Sequence, residues 1–128
     1  LRYRKIECIV DGNLGEAQAG LEKINEAVFH YGLALDIASE IGDIEVECQL
    51  LNNLGNAYLK MGQVEMSRVC YSLAMSRAVN EASARFLWEA YFGLGQGWEM
   101  QGNKQKALDC YVRSIEIVDR IRSQLLLD

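Results

Sequence analysis

The chain has 128 residues, a net charge of −5 and no proline. Nucleic-acid phosphates are bound by basic surfaces, so this acidic balance argues against nucleic acid as a partner. No apolar run approaches the roughly 18–20 residues of a membrane span, and no signal-peptide pattern is present, so a membrane role is not expected. Proline breaks helices and marks loops, and its absence favours an all-helical chain with short connections.

Apolar residues recur at helical spacing along the whole chain and predict six helices. Their expected ranges, in chain order, are about 3–19, 24–41, 45–61, 64–79, 83–101 and 104–125. Gly62 follows the third apolar stripe and suits the left-handed position that ends a helix, and Gly102 occupies the same place after the fifth. After the first stripe this place holds Glu22, with Gly20 two residues earlier, so the first turn is expected to be shifted.

A 40-residue repeat runs through these helices. The pair Leu-Gly recurs with a tyrosine seventeen residues after each leucine, at Leu14–Gly15 and Tyr31, Leu54–Gly55 and Tyr71, and Leu94–Gly95 and Tyr111. Small residues share two further columns, namely Ala27, Ser67 and Ala107, and Ala34, Ala74 and Ser114. Small residues facing large ones are how paired helices pack densely, so each unit is predicted to be a helix hairpin. Gly42–Asp43 and Asn80–Glu81 are the expected links between units.

The second unit carries the pattern Leu54-Gly55-x-x-Tyr58-x-x-x-Gly62-x-x-x-x-Ser67-x-x-x-Tyr71-x-x-Ala74. It resembles the tetratricopeptide repeat (TPR), and the third unit repeats it closely while the first fits more loosely. The 40-residue period resembles the long TPR variant of polarity adaptors, kinesin light chains and proteins with a caspase-like CHAT domain. The resemblance implies an all-α right-handed superhelix, a solenoid of three hairpins forming one domain over residues 1–128. The expected repeats are about 8–47, 48–87 and 88–127.

In TPR proteins the first helix of each hairpin lines a concave groove that usually receives an extended peptide or a partner helix. Helical spacing places polar and aromatic residues on that face, and the candidate binding residues are Gln49, Asn52, Asn56, Lys60, Glu89, Phe92, Gln96 and Glu99. Side-chain amides both donate and accept, so they can pair with a peptide backbone of any sequence. The glutamates make the groove mildly acidic, which favours a neutral to basic protein or peptide partner. The alternative is a merely solvated polar face beside a partly covered Phe92.

No residue pattern indicates catalysis, a metal or a cofactor. The four cysteines contain no C-x-x-C pair, and equivalent columns of stacked helices lie roughly 10 Å apart, beyond disulfide reach. They are therefore predicted to be buried free thiols, which suits a reducing, cytoplasmic setting.

His30 is the single histidine and lacks a nucleophile motif. Gly93–Gly97 is glycine-rich but is expected mid-helix, where the glycines would serve packing and not nucleotide binding.

The function predicted is a non-enzymatic protein-interaction scaffold. An alternative of another class is the regulatory arm of a larger enzyme such as a CHAT-type protease, because residues 114–126 resemble the helix that often leads into such a domain. A third hypothesis is self-association through the apolar end at Leu125–Leu127, since exposed apolar patches promote pairing. The start at Leu1 without Met indicates a piece of a longer protein.

Overall fold

The computed structural model describes residues 2–78 and 83–127, and all regular structure in these two ranges is helical. The helices are α1 (Arg2–Gly20), α2 (Ile24–Ile41), α3 (Ile44–Lys60), α4 (Val64–Arg77), α5 (Ala84–Met100) and α6 (Lys104–Leu127). The prediction of an all-α chain with six helices is confirmed, and the helix ends fall within two residues of those expected. The predicted link at Asn80–Glu81 lies outside the described residues. In the described ranges, none of the helices is both long and apolar enough to cross a membrane.

The helices pack as three hairpins in a row. Helix α1 packs against α2, α3 against α4 and α5 against α6, because a turn of only three residues joins the two helices of each pair. The second helix of one hairpin then packs against the first helix of the next, α2 on α3 and α4 on α5. First helices also touch, α3 contacting α5 more extensively than α1 contacts α3. This stacking leaves α1, α3 and α5 side by side on one face.

The turn inside each hairpin has the same geometry in all three repeats. The backbone N–H groups of Lys23, Gln63 and Asn103 each donate to a carbonyl five residues back, at 2.8, 2.9 and 2.9 Å. The preceding residue is left-handed each time, with φ of 62° at Glu22, 76° at Gly62 and 78° at Gly102. The expected shift of the first turn is therefore wrong. Packing of the hairpin sets the turn, and Glu22 adopts a conformation that costs a non-glycine residue about 1–2 kcal/mol.

The link between the first two hairpins follows its prediction. Gly42 is left-handed at φ 80°, and its N–H donates to the carbonyl of Ala38. Asp43 then caps α3, since its carboxylate accepts a hydrogen bond from the N–H of Val46 at 3.3 Å. Glycine at the end of one helix and aspartate at the start of the next satisfy backbone groups that each helix leaves unpaired.

The repeated Leu-Gly marks the place where a tyrosine ring from the second helix lies on the first. A Cβ built on Gly15 would lie 2.6 Å from a ring carbon of Tyr31. The corresponding distances are 2.6 Å for Gly55 with Tyr71 and 2.5 Å for Gly95 with Tyr111, closer than real Cβ contacts come. Each glycine therefore makes room for the tyrosine ring of its own hairpin.

A side-chain hydrogen bond also recurs in every hairpin, but its donor changes helix. The thiols of Cys8 and Cys48 on the first helices donate to the carbonyls of Ala34 and Ala74, at 3.4 and 3.6 Å. In the third hairpin tryptophan replaces the cysteine, and Ser114 on α6 donates back to the carbonyl of Trp88 at 2.9 Å. All four cysteines are free, as predicted, and Cys8, Cys48 and Cys70 are buried, whereas Cys110 is partly exposed against the prediction.

The three glycines in the middle of α5 are all buried against neighbouring side chains. Gly93 and Gly97 face the second hairpin, where an added Cβ would meet Tyr71 and Val64, while Gly95 faces Tyr111 of its own hairpin. This confirms the packing role predicted for the segment. It also explains why a helix tolerates three residues that each weaken it by about 0.5–1 kcal/mol relative to alanine.

Candidate peptide-binding groove

A depression of about 610 Å³ runs across the face formed by the first helices, and we call it the groove. Most of its lining comes from α3 and α5, with Ala19 of α1 at one side and Tyr31 of α2 behind it. The lining residues are Ala19, Tyr31, Asn53, Asn56, Ala57, Leu59, Lys60, Trp88, Glu89, Phe92, Gln96 and Met100. The groove thus combines amides, one residue of each charge and several apolar side chains.

Five of the eight candidate binding residues line this groove: Asn56, Lys60, Glu89, Phe92 and Gln96. They lie on two adjacent first helices at helical spacing. Their juxtaposition is what the periodicity of the two repeats predicts, since residues three and four apart share a helix face.

The other three candidates lie elsewhere. Gln49 lines a smaller neighbouring depression between α1 and α3. Glu99 is exposed beyond the groove lining, and its carboxylate accepts a hydrogen bond from the Tyr111 hydroxyl at 2.6 Å. Asn52 is only 1% exposed, so the expectation that it faces a ligand is wrong. Its amide points to α5, donating to the carbonyl of Phe86 at 3.1 Å, because α5 packs on that side of α3.

Sequence reasoning missed Asn53 and Trp88, which both line the groove. Asn53 lies three residues before Asn56, a spacing that shares a face, and this was the available signal. Trp88 heads the third repeat in the column where the other two have cysteine. A large aromatic in place of a small buried thiol was a sign that its side chain points elsewhere.

Two asparagines of α3 line the groove, and their side-chain oxygens already accept hydrogen bonds within the protein. The side-chain oxygen of Asn56 accepts from the Tyr71 hydroxyl at 2.5 Å, and that of Asn53 accepts from the amide of Gln49 at 3.0 Å. Tyr71 is fully buried, so its hydroxyl needs this acceptor. The orientation of the Asn56 amide is thereby fixed from inside the protein, and the amides of Asn53 and Asn56 can donate hydrogen bonds at two positions one turn apart.

Charges of both signs lie in the groove. Glu89 on α5 is half-buried, and this burial raises the pKa of its carboxyl, opposed by a hydrogen bond from Asn52 and by the charge of Arg85. The bond from Asn52 is long, 3.5 Å, so the carboxylate retains capacity to accept. Lys60 on α3 forms an exposed ion pair with Glu22 at 3.7 Å. Exposed pairs contribute little energy, so Lys60 remains free to contact a ligand.

Two exposed apolar side chains of the groove lie two turns apart on one helix. Phe92 is 46% exposed and Met100 56% exposed, and both belong to α5. The Phe92 ring lies 5.7 Å from that of Tyr111, a contact that holds it in place. Exposed apolar side chains clustered in a concave surface are a common feature of binding sites.

The described residues show no arrangement suited to metal chemistry: no three His, Cys, Asp or Glu side chains come together in them to hold an ion. His30 lies on α2, the second helix of the first hairpin, and one of its ring nitrogens lies 2.8 Å from the side-chain oxygen of Gln18 on α1. These two residues replace the aromatic and cysteine found at the same columns in the other repeats, so His30 has a structural partner within its own hairpin.

Comparison with known proteins identifies the family. Residues 46–120, more than half of the chain, match the family model described as tetratricopeptide repeat, and the chain belongs to that family. The repeats support a general role as a protein-interaction scaffold, and this fold is typically non-catalytic.

A curated relative is the response regulator aspartate phosphatase A of Bacillus subtilis (strain 168), 28% identical over 127 residues. The alignment covers 98% of this chain but 32% of the relative, so the chain spans about a third of that protein's length. Among solved structures, the TPR domain of Arabidopsis FLU superimposes with a TM-score of 0.85 at 20% identity, covering 91% of this chain and 98% of that domain. BtubC (BKLC) from P. vanneervenii gives 0.79 at 22% identity, covering 90% and 48%. The two structures support the fold.

Proposed function

We propose that this chain is a protein-interaction module that holds an extended peptide in the groove. The observation that carries the proposal is the pair of asparagines on α3, whose oxygens are engaged by Tyr71 and Gln49. Their N–H groups are left to bond the carbonyls of a peptide backbone. Backbone recognition of this kind gives affinity without demanding a particular sequence.

The remaining lining residues define the side chains that such a peptide would carry. Glu89 favours a cationic or N–H-bearing group beside it, because a half-buried carboxylate gains most from a partner that stabilises its charge. Phe92, one turn from Glu89, and Met100, two turns further along α5, favour apolar side chains beside them. A neutral to basic peptide therefore fits the groove better than an acidic one.

The regulatory-arm alternative has one supporting observation of its own. This chain matches about a third of the length of response regulator aspartate phosphatase A, so a repeat segment of this kind occurs within a larger protein. The CHAT-protease form of this hypothesis remains a prediction.

The self-association hypothesis also remains a prediction. It involves the apolar end of α6, where Leu125 is 70% exposed and Leu126 is 81% exposed. Light scattering with and without residues 124–128 tests self-association, and equal monomer masses would exclude it.

A displayed library of random 12-residue peptides tests the groove directly. Peptides retained by the wild type are measured against Asn53→Ala and Phe92→Ala, and each variant is expected to weaken them by about tenfold. Asn53 is the better choice than Asn56, because removing Asn56 also strips the buried Tyr71 hydroxyl of its acceptor.

Matched controls exist on α2. Asn25→Ala and Phe29→Ala change exposed residues of the same types outside the groove, and they should leave affinity unchanged. If the groove variants keep full affinity with an intact circular-dichroism spectrum, or if the α2 variants weaken binding equally, the groove assignment is wrong.

A further inference from the structure

A second, smaller depression of about 200 Å³ opens beside the groove, between the first and second repeats. It lies between α1 and α3, with the end of α2 and the start of α3 closing one side. Its apolar walls come from Cys8, Gly12, Ala38, Ile41, Val46 and Leu50. Asn53 lines both this depression and the groove, so the two are adjacent.

The equivalent place between the second and third repeats is filled. There the side chain of Asn52 reaches across to the carbonyl of Phe86 at 3.1 Å, and both residues are 1% exposed. One repeat earlier, the same two columns hold Gly12 and Val46. Glycine supplies no side chain to reach across, and valine is smaller than phenylalanine. The depression therefore exists because the first repeat lacks the side chains that fill its counterpart.

The space at Gly12 is open enough to accept atoms. A Cβ built there would lie 3.7 Å from the nearest atom, Cδ2 of Leu50, which is ordinary van der Waals contact. By contrast, the Leu-Gly glycines and the three glycines of α5 would clash or be crowded. Packing at Gly12 therefore leaves room for a side chain, whereas packing at the Leu-Gly glycines and the α5 glycines does not.

We propose that this depression is an anchor pocket that takes one aliphatic side chain of the peptide held in the groove, an inference that rests on the proposed function. Its volume exceeds that of a cavity of ~150 Å³ known to admit benzene, so it is large enough for one leucine, isoleucine or methionine side chain. Lys5 and Glu16 lie at its polar edge, where the peptide backbone would pass. Gly12 and Val46 then determine which side chain is accepted.

Filling the pocket with the side chains that occupy the equivalent place in the next repeat tests this inference. The double variant Gly12→Asn/Val46→Phe reproduces the pair found at Asn52 and Phe86, and Gly12→Ala fills the pocket in part. For both variants, the affinity is measured for a 12-residue peptide that was selected on the wild-type protein, and for versions of that peptide with one residue changed to alanine. We expect the double variant to weaken the parent peptide by about tenfold or more, the effect of losing an apolar pocket contact. One alanine version of the peptide, at an aliphatic position, should bind wild type and double variant equally.

A matched control is Gly32→Ala, since an added Cβ there meets nothing within 4 Å and Gly32 lies on α2. A second probe needs no peptide: N-acetyl-leucine methylamide should shift the backbone amide resonances at positions 12, 46 and 50 in the wild type and not at the same positions in the double variant. If the double variant binds the parent peptide as wild type does while Phe92→Ala weakens it, the anchor pocket is wrong and the groove stands. If no peptide is retained, the proposed function fails, and the leucine amide decides the pocket alone.

Discussion

Tyr71 and Gly93 belong to neighbouring repeats, and the ring of Tyr71 fills the place that a side chain on Gly93 would take. A Cβ on Gly93 would lie 2.5 Å from the Tyr71 hydroxyl and 2.6 Å from Cε1 of its ring. The same ring lies on Gly55 of its own hairpin, and its hydroxyl donates to Asn56. One side chain thus joins the hairpin, the next repeat and the groove.

The Gly93→Ala variant should be less stable than the wild type even though alanine is the better helix former. Alanine gains about 1 kcal/mol in helix propensity, but forcing a methyl group against the buried ring costs about 1–3 kcal/mol or more. Gly32→Ala, at a helical site with open space, should instead gain about 0.5–1 kcal/mol. Urea unfolding measures both. Stabilisation by Gly93→Ala would show that the ring moves aside freely.

Tyr71→Ala should cost on the order of 3–5 kcal/mol, because it empties a fully buried aromatic site. Lys60→Ala should change the free energy of unfolding by no more than about 0.5 kcal/mol, since its ion pair with Glu22 is exposed. Thermal or urea unfolding ranks the two variants. The reverse ranking would mean that the helix register described above is incorrect.

Glu22→Gly should stabilise the protein. Glycine relieves a left-handed φ that costs a side-chain-bearing residue about 1–2 kcal/mol, partly offset by the larger entropy of an unfolded glycine, leaving about 0.5–1 kcal/mol. The reciprocal change, Gly62→Ala at φ 76°, should cost about 1 kcal/mol. Chemical denaturation of the two variants should therefore give opposite signs. Equal signs would contradict the common turn geometry.

Glu89→Gln should stabilise the protein at pH 7 and have little effect at pH 3.5. Burial raises the pKa of Glu89 in the folded state above its ordinary 4.5, so folding favours the protonated form. Its contribution to stability is present below that ordinary value and is lost as pH rises through the raised pKa. Glutamine resembles the protonated acid at every pH. Urea midpoints at the two pH values decide this, and an advantage of glutamine that grows on acidification would contradict it.

The fold was predictable from sequence because its determinants are local and repeated. Apolar spacing set the six helices, and Gly62, Gly102 and Gly42 marked turns that only a residue tolerant of positive φ makes without strain. The first turn was mispredicted because Glu22 carries no such signal. Packing of the hairpin overrides the local preference there, and no single-residue propensity reports that.

The groove was predictable as a face but not residue by residue. Successive helix positions differ by about 100°, so Asn52 and Asn53 face different directions and only one of them lines the groove. Which of them is buried depends on how α5 crosses α3, a relation that one repeat does not encode. The depression at Gly12 was equally hidden, because it arises from a difference between two repeat interfaces that appears only when both are built.

The packing of Tyr71 against two repeats has a consequence for how the repeat array unfolds. A ring wedged between Gly55 and Gly93 cannot leave one repeat without disturbing the other. Repeat arrays unfold in units set by the strength of the interfaces between neighbours. The second and third hairpins should therefore melt together as one cooperative unit. The first hairpin, joined at an interface with an open depression, should fray earlier and show faster amide hydrogen exchange.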